Sequence, residues 1–304
     1  MLGWGDDPFE LAERTAAGGF AALGLRRMLR RDKRLPEPFE YLGWCSWAAF
    51  HREISAEGVA AKAAELAQSG TPVRWFLIEA GWMQTEGEKL LAFEEDREKF
   101  PDGLAGFISE VKRRHGLRWV GIWQNFTGFW HGIHREGVLA RERSEMLYAT
   151  PNGRLMPPPD ATGSFAFWDA WNRYLQEQGV DFVKSDSHGT IAVFVQDHIP
   201  LARAARELHR GMEASTAARL DRAVINCTGM GHETTWTHPQ AVVCRNSVDY
   251  NPAKPETMRA FIVQNAYNSF YYSQLFYTDW DMWWSRGPTA KLGAVLHALA
   301  GSIL

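Results

Sequence analysis

Short apolar runs alternate with amphipathic segments along most of the chain. Seven runs have the length and composition of buried strands: 39–45, 73–78, 117–123, 180–184, 222–227, 241–245 and 274–278. Segments with apolar side chains at helical spacing follow these strands: 55–70, 101–115, 167–178, 200–219, 255–272 and 289–300. A further helix begins at Asp7-Pro8, where a capping carboxylate precedes proline, and is predicted to continue to residue 33.

Repeated strand–helix units predict a parallel sheet with right-handed crossovers, either closed as a barrel or open and doubly wound. The units are near-equal, and neither a Gly-x-Gly-x-x-Gly turn nor a Walker loop occurs. We therefore predict an α/β fold of the (β/α)₈ TIM-barrel type. An eighth strand would follow the last helix, where only Ser302-Ile303-Leu304 remain. We expect a barrel truncated within strand 8, with a helix and linker at 1–38 and the catalytic barrel at 39–304.

The charge balance excludes several classes of partner. The chain has 33 Lys and Arg against 36 Asp and Glu, a net charge of −3, whereas nucleic-acid and anionic-membrane proteins carry basic surfaces. No apolar run approaches the roughly 20 residues of a membrane span. The three cysteines include no Cys-x-x-Cys pair, so neither a disulfide framework nor a zinc knuckle is expected. We predict a cytoplasmic protein without a cofactor, and a homo-oligomer is left open.

Two familiar kinds of catalytic or metal motif are missing. His232-Glu233 with His238, and Asp197-His198, lack the spacing of established metal ligands, so no metal site is predicted. Ser185 and Ser187 have no Gly-x-Ser-x-Gly frame, which argues against a serine hydrolase.

Acidic, cationic and aromatic residues follow the predicted strands, where the active site of a barrel lies. In chain order they are Trp47, Glu79, Trp82, Trp123, Lys184, Asp186, Cys227, Arg245, Asp249, Asp279 and Asp281. Glycoside cleavage needs two carboxyl groups beside the scissile bond and flat apolar faces for the sugar, and the chain has 14 Trp. Any one of these aspartates could equally cap a helix, and tryptophan more often fills a core. Their combination favours a sugar-processing site.

Six segments carry a family resemblance. They are 42–50 (LGWCSWAAF), 99–104 (KFPDGL), 120–123 with 128–132 (VGIW, GFWHG), 179–186 (GVDFVKSD), 244–250 (CRNSVDY) and 279–282 (DWDM). In this order they resemble glycoside hydrolase family 36, and especially its raffinose synthase and seed-imbibition-protein branch.

The resemblance implies a retaining mechanism in which Asp186 is the nucleophile and Asp249 the general acid/base. Lys184 and Arg245 would keep Asp186 ionised. The substrate contacts it implies are Trp47, Glu79, Trp82, Trp123, Trp130, Lys184, Cys227, Arg245, Asp279 and Asp281.

At two places the chain departs from the members that act on α-galactosides. Those members carry an acidic residue where this chain has Ala48, and two aspartates where it has Glu79-Ala80. In them, these carboxylates hold the 4- and 6-hydroxyl groups of galactose. The resemblance therefore supports the reaction type better than the sugar, whose identity is open.

Three functions remain in contention. The first is an α-galactosidase-like hydrolase of glycoside or oligosaccharide substrates. The second is a raffinose-synthase-like α-galactosyl transferase, which uses the same chemistry but passes the sugar to an acceptor. The third is a non-catalytic carbohydrate-binding protein, suggested by Ala48, Ala80 and the many tryptophans.

Overall fold

The computed structural model describes residues 2–26, 28–251 and 253–301. The strands are β1 Gly43–Cys45, β2 Trp75–Ile78, β3 Met83–Glu86, β4 Lys89–Glu95, β5 Trp119–Asn125, β6 Tyr148–Ala149, β7 Leu155–Met156, β8 Phe182–Asp186, β9 Val224–Asn226, β10 Val243–Arg245 and β11 Tyr277–Asp279. The α-helices are α1 Pro8–Ala22, α2 Trp47–Phe50, α3 Ala56–Gln68, α4 Gly103–His115, α5 Val138–Glu142, α6 Ala161–Glu177, α7 Ile191–Val195, α8 Leu201–Arg219, α9 His232–Thr235, α10 Met258–Tyr272 and α11 Ala290–Ala300.

Seven strands form one parallel sheet in the order β1-β2-β5-β8-β9-β10-β11. Each of the seven predicted strands corresponds to one of them, and their order in the sheet is their order in the chain. This order confirms a parallel α/β sheet and differs from a doubly wound sheet, in which the order reverses. The predicted eighth strand, at 302–304, lies outside the described residues.

The sheet is curled, because side chains from both halves of it meet on its concave face. One buried cluster joins residues of β1, β2, β8, β9 and β10: Cys45, Trp75, Leu77, Phe182, Ile225 and Val243. Phe39 lies in the same cluster and packs edge-to-face on Phe182 at 5.3 Å between ring centroids. It therefore precedes the sheet rather than forming the start of β1, which begins at Gly43 and not at 39 as predicted.

Two strand glycines make room for the large rings inside the curve. A Cβ built on Gly43 would lie 2.0 Å from the Trp75 ring, and one on Gly121 would lie 2.1 Å from the Phe182 ring. Both rings are fully buried, so they have no space into which to move. Glycine is required at both positions for steric reasons.

Gly121→Ala is expected to lower the free energy of unfolding by about 1–3 kcal/mol, the usual cost of overpacking a core. Urea denaturation would measure it. The matched control is Gly106→Ala on the exposed side of α4, where the nearest atom to the new Cβ lies 3.5 Å away and alanine favours the helix. Equal midpoints for the two variants would contradict the steric account.

The helices cover the convex face of the sheet. Alternate strand residues such as Val120, Ile122 and Val183 point outward and pack against α6 and α8, through Phe167 and Leu208. This alternation leaves the opposite residues of each strand, including Lys184 and Asp186 on β8, on the concave side. The strand pattern thus decides which polar residues face the site.

Two further pairs of strands lie between the predicted elements. β3 and β4 form an antiparallel hairpin after β2, and β6 pairs with β7 after β5. The hairpin is short and partly exposed, and its charged residues hide the strand pattern in the sequence. Both insertions follow the carboxyl ends of sheet strands, next to the candidate site.

The first helix is shorter than predicted. α1 ends at Ala22, and Gly24 follows with φ of +68°, which favours glycine and ends the helix. The helix does not continue to Lys33. Lys33 instead binds the segment before β10, where its Nζ donates to the carbonyls of His238 (2.8 Å) and Ala241 (2.9 Å). Burial lowers the pKa of Lys33 to about 8. No helix in the described ranges is both long and apolar enough to cross a membrane.

Candidate active site

A cavity of about 760 Å³ lies at the carboxyl ends of the sheet strands. Nine of the twelve predicted site residues line it: Trp47, Glu79, Trp123, Trp130, Lys184, Asp186, Arg245, Asp249 and Asp281. They come from β1 through β11, so the curl of the sheet brings together residues that are up to 234 positions apart (281 − 47). The cavity has the size and the mixed apolar and charged lining of a small-ligand site.

Asp186, the last residue of β8, is held by three donors. Trp123 Nε1 donates to Oδ2 at 3.1 Å, whereas the backbone N–H of Ser187 (2.5 Å) and the Thr228 hydroxyl (3.1 Å) donate to Oδ1. Burial by itself raises the pKa of Asp186, but the charge of Lys184 and the hydrogen bonds from Trp123 and Ser187 outweigh it and lower that pKa below its ordinary value. Asp186 is therefore an ionised, oriented carboxylate that faces the cavity.

Lys184 lies two residues before Asp186 on β8, so both side chains are on the same face of the sheet. Lys184 forms a buried ion pair with Glu79. Its Nζ contacts Glu79 Oε1, and both side chains are almost inaccessible, at 6% and 3% exposure. Glu79 Oε2 also accepts the backbone N–H of Ala80 at 3.0 Å. Burial opposes the charge on Lys184, but Glu79 overcomes this and raises the pKa of Lys184 well above its usual value. Lys184 therefore stays charged, and its charge is the main influence that lowers the pKa of Asp186.

Arg245 pairs with two carboxylates, and neither is Asp186, which it was predicted to keep ionised. Its Nη2 contacts Asp249 Oδ1 and lies 2.9 Å from Asp281 Oδ2. The direct partners of Arg245 are thus Asp249 and Asp281, whereas Lys184 is the cation that lowers the pKa of Asp186. Burial disfavours the guanidinium charge, yet Asp281 and its neighbours raise the pKa of Arg245 well above its usual value. Asp249 itself reaches outward, with 80% of its side chain exposed.

Three predicted contact residues lie behind the cavity lining instead. Trp82 is fully buried, and its Nε1 donates to the carbonyl of Trp123 at 2.8 Å. Cys227 is buried with its Sγ 3.6 Å from Arg245 Nη1. Asp279 is buried and accepts the backbone N–H of Asp281 at 2.8 Å. Each supports a lining residue, because the strand alternation and the turns after the strands direct these side chains away from the open volume.

The lining residues that were not predicted from the sequence include His51, Thr228, Tyr250, Trp284 and Arg286. Thr228 lies two residues after β9, and its φ of +52° is unusual for a β-branched residue, but nothing in the sequence signals that conformation. Trp284 and Arg286 lie in the loop after β11, in a segment without a motif. Their place in the cavity depends on how this loop packs over the strand ends, which the sequence does not indicate.

Five of the 14 tryptophans are buried away from the cavity, and four line it. Trp75, Trp168 and Trp171 are fully buried, and the last two stack at 5.7 Å. The lining rings are Trp47, Trp123, Trp130 and Trp284. The guanidinium of Arg52 lies 4.2 Å from the ring centroid of Trp130, which fixes that ring at the rim of the cavity.

The fold of this curled parallel sheet is similar to that of solved α-galactosidases. TtGalA, the α-galactosidase from Thermus thermophilus crystallised with stachyose, aligns with a TM-score of 0.64 and 17% identity over 96% of this chain and 64% of its own. The α-galactosidase AgaA of glycoside hydrolase family 36 from Geobacillus stearothermophilus aligns with a TM-score of 0.62 and 14% identity, over 96% and 41%. At these identities the likeness establishes the fold.

The chain belongs to the family of raffinose synthase or seed imbibition protein Sip1, whose model matches residues 2–100 and 92–304. The probable galactinol–sucrose galactosyltransferase 6 of Arabidopsis thaliana is 26% identical over a 339-residue alignment, with 99% of this chain and 44% of the relative covered. The galactinol–sucrose galactosyltransferase of Oryza sativa subsp. japonica is 24% identical, with 98% and 44% covered. The chain thus spans less than half the length of these relatives.

Proposed function

We propose that the protein processes α-galactosides by a retaining double displacement, with Asp186 as the nucleophile and Asp249 as the general acid/base. The observation that carries the proposal is the Asp186 carboxylate, which faces the cavity, accepts three hydrogen bonds and lies next to the buried cation of Lys184. A nucleophile must be ionised and fixed in direction, and both conditions are met here.

The steps follow from the two carboxyl groups. Asp186 attacks the anomeric carbon while Asp249 gives a proton to the departing glycosidic oxygen, which leaves a glycosyl ester on Asp186. Asp249 then removes a proton from the incoming hydroxyl group, whose oxygen bonds to the anomeric carbon as the ester bond to Asp186 breaks. Its position at the rim, with 80% of the side chain exposed, lets Asp249 exchange protons with solvent and with an acceptor.

The remaining lining residues suit a sugar ring. Trp47 and Trp284 offer apolar faces, and Lys184, Glu79 and Asp281 offer charged partners for hydroxyl groups. Glu79 lines the cavity while bound to Lys184, and Glu79-Ala80 stands in the sequence where the family has paired aspartates. In this function the curled sheet is the wall of a (β/α)₈ barrel with its site at the carboxyl edge.

Transfer of the galactosyl group to a sugar acceptor is the second candidate. The curated relatives that match 97–99% of this chain are named as galactosyltransferases or probable galactosyltransferases. Transfer and hydrolysis share the glycosyl ester and differ only in which hydroxyl group reaches it. The choice therefore depends on which hydroxyl group the cavity admits beside the glycosyl ester.

Product analysis tests both candidates. The protein would be incubated with galactinol, raffinose and the nitrophenyl α-glycosides of galactose, N-acetylgalactosamine and glucose, each with and without sucrose. Release of one sugar with net retention at the anomeric centre is expected. A new oligosaccharide that requires sucrose would establish transfer, and free galactose as the sole product would exclude it. No turnover of any donor by folded protein would overturn the enzymatic proposal and favour a carbohydrate-binding protein.

Thr228→Val should reduce kcat/KM about tenfold, because Asp186 loses one of the donors that orient it and a hydrogen bond to a charged group is worth roughly 1.5–3 kcal/mol. Valine preserves the shape of the side chain. Thr228→Ser is the control, since it keeps the hydroxyl group and should retain most of the activity. Equal rates for valine and serine would show that the hydroxyl does not act on Asp186.

A further inference from the structure

Three histidines from distant parts of the chain meet behind the Asp186 strand. His188 follows β8, His209 lies on α8, and His238 lies between α9 and β10. All three are fully buried, and one ligand nitrogen from each lies within 4.8 Å of the others. The cluster is outside the cavity of the candidate active site, whose lining includes none of them.

The outer nitrogen of each imidazole is bound to an oxygen. The pairs are His188 Nε2 with Ser185 Oγ at 3.0 Å, His209 Nδ1 with the carbonyl of Ala205 at 2.7 Å, and His238 Nδ1 with Glu213 Oε1 at 2.6 Å. Histidines that bind metals typically use their second nitrogen in this way, on a carboxylate, a carbonyl or another oxygen. The outer contacts therefore fix the direction in which each inner nitrogen points.

The inner nitrogens face one another. His188 Nδ1 and His209 Nε2 lie 2.8 Å apart, and His238 Nε2 is buried with no hydrogen-bond partner among the described residues. A buried imidazole nitrogen without a partner is costly, so an unpaired lone pair beside two other imidazoles indicates a ligand that it could bind.

The surroundings hold the rings neutral and in place. Phe126 stacks on His188 at 4.2 Å and on His209 at 4.5 Å. Burial lowers the pKa of His188 and His209 well below the ordinary value and that of His238 to about 3. Neutral imidazole is the form that coordinates a metal ion, and the Glu213 carboxyl group behind His238 can offset the charge of a cation.

We propose that His188, His209 and His238 bind one divalent transition-metal ion, preferentially Zn²⁺, through their three inner nitrogens. Imidazole ligands suit zinc, at Zn–N distances of about 2.0–2.1 Å. Nitrogens around such an ion lie about 3.3 Å apart in tetrahedral geometry, so sub-ångström to ångström movements of the rings would complete the site. The ion would link α8 and the segment before β10 to the end of the strand that carries Asp186.

Metal binding by the unaltered protein is the first test. The protein, made without a histidine tag, is stripped with EDTA, desalted and titrated with Zn²⁺ or Co²⁺. We expect about one ion bound per chain, a higher thermal midpoint with Zn²⁺, and a visible absorption band with Co²⁺. Uptake below about 0.1 ion per chain, with no shift of the midpoint, would overturn the proposal.

Variants locate the ion. His238→Ala removes the inner nitrogen that has no partner and should weaken Zn²⁺ binding at least about tenfold. His232→Ala is the matched control, because His232 is exposed and lies outside the cluster. If His238→Ala does not fold, the Co²⁺ band of the unaltered protein still distinguishes the proposed site from binding at the surface. Three imidazole ligands and a surface site give different spectra. Equal Zn²⁺ affinity in both folded variants would contradict the assignment.

Discussion

Asp186→Asn is expected to lower the turnover of α-galactosides by at least about a thousandfold, because an amide cannot form the glycosyl ester. The side chain keeps its size, and its amide oxygen can still accept from Ser187 and Thr228. The loss should therefore appear in kcat while the thermal midpoint changes little. The measurement is kcat on a nitrophenyl α-galactoside, or on the best donor found, beside circular dichroism of the variant.

Asp181, which directly precedes β8, provides a matched control. Asp181 accepts the backbone N–H of Val120 at 2.7 Å and pairs with Lys112, and it is not among the lining residues. Asp181→Asn makes the same chemical change and should leave kcat near that of the parent. A folded Asp186→Asn variant that retains more than about a tenth of the activity would show that another group is the nucleophile.

The smaller variant Asp186→Gly gives a positive signal for the same role. It leaves room for an azide ion where the carboxylate was, and azide would attack the anomeric carbon from that side. The expected product is the glycosyl azide of inverted configuration, formed only with azide and an activated donor. Failure of azide to restore turnover, combined with full activity of Asp181→Asn, would weigh against a double displacement at Asp186.

Lys184→Met is expected to destabilise the protein by about 3–5 kcal/mol, since it leaves the Glu79 carboxylate buried without its cation. Both side chains are nearly inaccessible, so solvent would screen the unpaired Glu79 carboxylate only weakly. Denaturant unfolding would measure the loss. The activity should fall as well, because Lys184 provides the charge that favours ionised Asp186.

The double variant Lys184→Met with Glu79→Gln separates the two roles. Removing both charges should restore much of the stability, as the coupling between paired buried ions predicts. It should not restore activity, since the cation beside Asp186 is still missing. If stability does not recover in the double variant, the ion pair is not what Lys184 contributes to the fold.

The apolar pattern predicted the strand–helix order well, because buried parallel strands must be apolar on both faces. It predicted the ends of elements less well. The segment 39–42 is as apolar as a strand, but Phe39 packs inside the curled sheet instead of joining β1. The extension of α1 to residue 33 failed for a related reason: the basic residues suggested a helix end, whereas Lys33 is bound to carbonyls of the distant segment before β10.

The candidate site was predictable as a set of residues but not as a set of contacts. Strand ends in a parallel sheet meet at one edge, so Asp186, Arg245 and Asp281 could be expected near one another. The partner of each charge depends on distances across the cavity. Lys184 pairs with Glu79, and Arg245 pairs with Asp249 and Asp281, because the curl of the sheet places those carboxylates closest.

The histidine cluster is the clearest case of contacts that could not be predicted from the sequence. Local spacing grouped His238 with His232-Glu233 and gave no reason to expect a metal site. In the fold, His238 meets His188 and His209, which lie 50 and 29 positions away in the chain (238 − 188 and 238 − 209).

The sequence by itself determined the repeated strand–helix units, the parallel sheet, the edge at which chemistry would occur and the family to which the chain belongs. These follow from hydrophobic periodicity and short motifs, which act over a few residues. Only the tertiary structure decided which carboxylate pairs with which cation, which tryptophans reach the cavity, and which histidines face one another. Those choices depend on long-range packing, because groups distant in the chain become neighbours only after the sheet has curled.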